Sequence, residues 1–171
     1  MFKLLRMNNY YFIVGGSAAW AEIVRILQEK KIPFAWMKSD TEGAVSVPYE
    51  KIDEVIAAGF VPVVIGAECG RSDVKVLKKY RHHVNASPLE IVSVWEHAPL
   101  ATRWQELVLA HDEDCFNEFD YSTEIMRELC RHGFSRDEID KVRALDREIR
   151  GITGAEEALS LIHISEPTRL D

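Results

Sequence analysis

The chain has no Cys-x-x-Cys pair, no apolar run of membrane-spanning length, no block of Lys or Arg, no internal repeat and no low-complexity tract. Each absence removes a class of protein. Without Cys-x-x-Cys a structural zinc knuckle is not expected. The three cysteines, Cys69, Cys115 and Cys130, are odd in number and far apart, which fits reduced thiols in a cytoplasmic setting better than a disulfide framework. Against 28 acidic residues stand 21 Lys and Arg, a formal charge of −7. That balance argues against general nucleic-acid binding, which needs a basic face to displace counterions. No segment predicts a membrane span. The opening Met1-Phe-Lys-Leu-Leu-Arg-Met-Asn-Asn lacks the sustained apolar stretch and small-residue cleavage site of a signal peptide, and Met7 is an alternative start.

The end of the chain is expected to have a different origin from the rest, the alternative being a native terminal strand Leu161-Ile-His-Ile164. Leu159-Ser-Leu-Ile-His-Ile-Ser-Glu-Pro-Thr-Arg169 reads as the translation of a transposase-type sequencing adapter. Residues 159–171 are therefore expected to be foreign, leaving residues 1–158 as one domain whose own carboxyl half is missing. His163 then belongs to no site. Taking away Arg169, Glu166 and Asp171 changes the formal charge from −7 to −6.

What remains predicts an α/β fold: a parallel, Rossmann-like sheet in the amino-terminal half, then helices from about residue 87. Tyr10–Val14 is an aromatic and β-branched run closed by Gly15-Gly16, as a buried strand would be. Ser17 is placed to cap a helix on which Trp20, Ile23, Val24 and Leu27 share one face, and Pro33 is expected to stop it. Phe34–Met37 follows as a second strand, making a β-α-β unit with parallel strands. A helix is expected from Tyr49 to Ala58 with Gly59 just past its end, and Val61–Ile65 is the most apolar strand. Val74–Leu77 suits either a strand or a helical turn. Ser87-Pro88-Leu89-Glu90 starts a helix, Trp104–His111 forms another, and Ser135-Arg-Asp-Glu138 carries capping-box logic ahead of Ile139, Val142, Leu145 and Ile149.

Four places offer chemistry, each with a plainer alternative. Gly15-Gly16-Ser17 joins strand to helix, where backbone N–H groups attract anions, yet G-x-G-x-x-G spacing and a Walker-type Lys are both absent; a tight turn explains it equally. His82-His83 could present two imidazoles to a divalent metal or a phosphate, or could be exposed loop residues after a basic run. Asp112-Glu113-Asp114 gathers carboxylates where a helix ends, against its dipole, which hints at a compensating Mg²⁺ or Mn²⁺ with His111 adding nitrogen; a solvated acidic loop is the alternative, and EF-hand spacing is not met. Asp40 and Glu68 each follow the carboxyl end of a predicted strand, where open parallel sheets bind ligands; each could equally be an exposed loop charge.

The stretch Arg81-His82-His83-Val84-Asn85-Ala86-Ser87-Pro88-Leu89-Glu90-Ile91-Val92 resembles the signature of the DHH phosphoesterase family, in which Asp-His-His precedes a small or Ser-rich helix start. Leu107-Val-Leu-Ala-His-Asp112 is similar to that family's later helix with a functional aspartate, so the resemblance spans roughly residues 61 to 118. It implies a pair of Mn²⁺ ions held in part by His82 and Asp112, with Glu68 in the place of a strand-end aspartate; Asp40, from its own strand-end position, is a further candidate carboxylate for Mn²⁺ or Mg²⁺. It also implies a phosphate contact from His83 and a second, substrate-binding domain in the missing half. Two departures stand out: Arg81 replaces the motif's Asp, and Gly15-Gly-Ser-Ala-Ala-Trp20 replaces the His and Asp cluster after the opening strand. The expected function is thus a metal-dependent phosphoesterase, or a non-catalytic descendant of one, acting on a small phosphorylated or nucleotide-type ligand. The rival is a metal-free regulatory domain that takes an anionic metabolite at Gly15, Gly16 and Ser17, with Arg81 as phosphate clamp. A third reading is an interaction module on the helical half, although Trp20, Trp36, Trp95 and Trp104 suit core and interface packing.

Overall fold

The computed structural model describes residues 8–38, 46–77, 87–114, 127 and 129–151. The described elements run β1 (Asn9–Val14), α1 (Ala18–Glu29), β2 (Phe34–Met37), α2 (Tyr49–Ala57), β3 (Val61–Ile65), β4 (Lys75–Leu77), α3 (Pro88–Trp95), α4 (Arg103–Asp114) and α5 (Arg136–Arg150). Four strands form one sheet in the order β2-β1-β3-β4, and every neighbouring pair is parallel. The α/β class with helices in the carboxyl half is the one the sequence predicts.

Alternation along the strands divides the core between two faces. Tyr11, Ile13, Val63 and Ile65 point into one cluster with Trp20, Ile23 and Leu27 of α1, and with Leu89, Leu107, Val108, Ile139 and Val142 from the later helices. Phe12, Val14 and Val64 point the other way, onto Ile52 and Val55 of α2. Side chains such as Ile23, Leu27 and Leu107, all but sealed from solvent, are each worth roughly 1.5–3 kcal/mol of burial. One face of the sheet therefore carries both α1 and the helical half, while α2 covers the other.

Local chemistry accounts for the ends of the elements. α1 stops at Glu29, well before Pro33: Lys31 takes a left-handed φ of 56°, and the Ile32 N–H returns to the Leu27 carbonyl at 2.9 Å. Val74–Leu77, open from sequence, contains a strand, with Lys75 to Leu77 in register with Val63 to Ile65. α3 has Ser87 as cap, accepting from the Leu89 N–H at 3.3 Å, and Pro88 in its first turn. α5 opens with the reciprocal Ser135–Glu138 box and ends at Gly151 in the left-handed region. α4 is the main correction to element boundaries. It continues to Asp114, so Asp112, Glu113 and Asp114 belong to its last turn and are not a loop beyond His111. The Asp112 carboxylate accepts a hydrogen bond from Ser87 Oγ at 2.5 Å, and this donor offsets the unfavourable helix dipole. Among the described residues, no helix is long and apolar enough to cross a membrane.

Candidate functional site

The chain leaves β1 toward β2 on one side and returns to β3 on the other, so the order reverses between β1 and β3. In open parallel sheets this reversal, at the carboxyl ends of the strands, is where ligands bind. Gly15, Gly16 and Ser17 follow β1 at this point, and Gly66, Ala67 and Glu68 follow β3.

The Trp20 indole spans the gap. A Cβ added to Gly15 would meet it at 2.2 Å, and one added to Gly66 would meet it at 2.5 Å and the Val14 carbonyl oxygen at 1.9 Å. The glycines are thus needed to seat an indole from the chain itself. Trp36 Nε1 donates to the Gly15 carbonyl at 2.9 Å and fixes the turn from the β2 side.

Ser17 occupies the N-cap position of α1 with extended backbone, as expected, but its side chain makes no capping hydrogen bond. Its buried Oγ has no hydrogen-bond partner. The first helical N–H, that of Ala18, donates to Asp146 Oδ1 of α5 at 2.8 Å. Arg150 Nε donates to Asp146 Oδ2 at 2.7 Å, and His111 Nε2 lies 3.7 Å from Oδ1. Burial raises the Asp146 carboxyl's pKa more than any other influence. The neighbouring His111 imidazole, the hydrogen bond from the Ala18 N–H and the attraction of Arg150 together outweigh it and leave the group below the usual carboxylate range.

Asp112, one residue past His111, is half-buried and bonded to Ser87. Glu68 is exposed beyond β3. Asp40, Arg81, His82 and His83 lie outside the described residues. Among the described residues, no group of three or more His, Cys, Asp or Glu side chains comes together as a metal cluster. Among the described residues, two buried carboxylates went unassigned from sequence. Asp146 sits with Ile139 and Val142 on the buried stripe of α5. Glu22 sits on that of α1 and accepts from Gln105 Nε2 at 2.9 Å and Arg25 Nε at 2.9 Å. A charge at a core-facing helical position was the available signal for both.

Set against known proteins, the chain matches no family model, no curated protein and no solved structure.

Proposed function

We propose that the protein is a divergent metal-dependent phosphoesterase of the DHH type, acting on a small phosphorylated or nucleotide-type ligand. The observation that supports it best is the 2.5 Å hydrogen bond from Ser87 to Asp112. It holds the carboxylate against the first residue after the connection that carries His82 and His83. An extended chain covers at most about 3.5 Å per residue, so the four steps from His83 to Ser87 span no more than about 14 Å. The other end of that connection is Leu77, at the carboxyl end of β4.

The donor types suit a hard or borderline divalent ion: carboxylates at Asp112, Glu68 and Asp40, and an imidazole at His82. Mn²⁺ or Mg²⁺ held by them would supply Lewis acidity toward a phosphate oxygen. His83 and Arg81 would contact the phosphate, Arg81 through paired N–H donors. The hydrogen bond from Ser87 would orient the Asp112 carboxylate.

Hydrolysis of a phosphodiester and nucleotide panel with Mn²⁺ tests the reading. His82→Ala and Asp112→Asn should each lose at least about a hundredfold in kcat/KM, the scale of removing a group that acts on the transition state. Mn²⁺ should raise the melting temperature of the wild type but not of Asp112→Asn. Wild-type rates in His82→Ala would overturn the assignment. Stabilisation by nucleotides in EDTA, with none by Mn²⁺, would favour the metal-free binding domain instead.

A further inference from the structure

β3 is longer than its neighbour on one side. It runs beside β1 from Val61 onward, whereas β4 joins it only at Val63, opposite Lys75. Among the described residues, Val61 and Pro62 therefore have no strand beside them on the β4 side. Pro62 suits that place, since proline brings no N–H that would need a partner. Between this overhang and the end of α2 lies a groove of about 350 Å³. Ile56, Phe60, Val61, Pro62 and Val74 give it an apolar wall, and Ser72, Asp73 and Lys75 complete the lining. Ile56 is left 37% exposed there, although it is a large apolar side chain.

The chain enters the sheet next to this groove. The Asn8 carbonyl accepts from the Val61 N–H at 2.9 Å, so the residues before Asn8 set out from the groove's own wall. Residues 1–7 lie outside the described residues; they read Met-Phe-Lys-Leu-Leu-Arg-Met, apolar apart from two cations and without an acid. Neighbouring strands are about 4.8 Å apart, so the gap between β3 and β4 is on the order of 10 Å from β1, which three extended residues cover. Phe2 and Leu4 then come within reach of the apolar wall. Charge matches as well. Asp53 and Asp73 share the single cation Arg71, and their side chains are 65% and 51% exposed. One negative charge is left over beside the groove, for Lys3 or Arg6 to meet. The Lys75 ammonium is turned to the Trp95 ring, 5.5 Å from its centroid.

We propose that residues 1–7 form a strap that crosses the amino end of β3 and seats Phe2 and Leu4 in this groove. A segment tethered within reach is present at an effective concentration of order millimolar, whereas a second copy would also lose its translational freedom on docking. The groove lies at the amino ends of the strands, opposite the exits that carry Gly15 and Glu68. The strap is therefore independent of the phosphoesterase reading. A chain started at Met7 would lack it.

The test keeps the chain at full length and replaces Phe2→Ser, Leu4→Ser and Leu5→Ser together. This variant should melt at least about 3 °C below the wild type. Ile56→Asp should lower the melting temperature of the wild type by a similar amount. Adding the three serines to Ile56→Asp should then change it by less than about 1 °C, because both perturbations break one contact. If Ile56→Asp does not fold, Ile56→Ser takes its place in the cycle. Amide hydrogen exchange at Val74 to Val76 should quicken in the serine variant while that of Leu107 and Val108 in α4 stays unchanged. A serine variant that melts with the wild type, losses that add, or unaltered exchange at Val74 to Val76 would each overturn the proposal. So would a wild-type dimer in sedimentation that the serines dissolve, since the segment would then be seated in a neighbouring copy.

Discussion

Gly66 and Gly59 allow the close approach at the strand ends to be measured apart from backbone conformation. Their φ angles are nearly identical, 84° and 83°, so an alanine at either meets the same left-handed penalty, roughly 1–2 kcal/mol. Their surroundings differ completely. Nothing lies within 4 Å of a Cβ at Gly59, whereas one at Gly66 meets the Val14 carbonyl oxygen at 1.9 Å and Trp20 Cη2 at 2.5 Å. The Val14 oxygen is backbone of β1, in register with Met37 of β2, and cannot swing aside as a side chain would. Forcing extra volume into a filled interior adds about 1–3 kcal/mol. Gly66→Ala should therefore cost about 2–5 kcal/mol and Gly59→Ala about 1–2 kcal/mol, against a total stability of order 5–15 kcal/mol. Urea denaturation of the two variants beside the wild type reads the difference as a change in midpoint at constant slope. In thermal scans each kcal/mol corresponds to about 2–4 °C for a chain of this size. Equal losses within about 0.5 kcal/mol, the scatter of ordinary surface substitutions, would refute the view that Gly66 is required by contact with β1 and Trp20.

Two further predictions concern helix ends. Arg103 beside Glu138, together with the Ser135 N–H and hydroxyl, lowers the Glu138 carboxyl from 4.5 to about 2. Because the folded value is the depressed one, its stabilisation is present above pH 4.5 and is lost as the pH falls toward 2. Glu138→Gln should flatten the acid limb of the stability profile in that window, and an unchanged profile would count against the Arg103–Glu138 tether. Ser87→Ala removes the α3 cap and the donor to Asp112 together, and should cost about 1–2 kcal/mol by chemical denaturation, with Ser87→Thr largely restoring it.

The strands were legible because buried parallel strands need continuous apolar runs: Phe34–Met37 and Val61–Ile65 were placed to the residue. Helix starts were legible wherever the signal is local, as in the Ser135 to Glu138 box. The errors arise where a distant partner decides. Acidic residues in a last turn are unfavourable in isolation, so the sequence favours an end at His111, but Ser87, 25 residues away, supplies the donor that lets Asp112 remain helical. Serine at an N-cap predicts a local capping bond, yet Ser17 makes none, and the first helical N–H, that of Ala18, is met by Asp146 from α5. Of the candidate site, Gly15, Gly16, Ser17 and Glu68 were placed at strand exits and are found there. What the glycines accommodate could not be read, because the position of the Trp20 ring depends on how β1 and β3 lie side by side.

The shared wall between the two halves has a consequence for truncation. α1 presents one apolar face both to the sheet and to α3, α4 and α5. A polypeptide shortened after Leu77 would keep all four strands, yet leave Trp20, Ile23 and Leu27 partly stripped of their covering and prone to self-association. The strand-rich portion is thus no autonomous module, and protease nicking of the helical portion should precipitate the remainder rather than release it in solution.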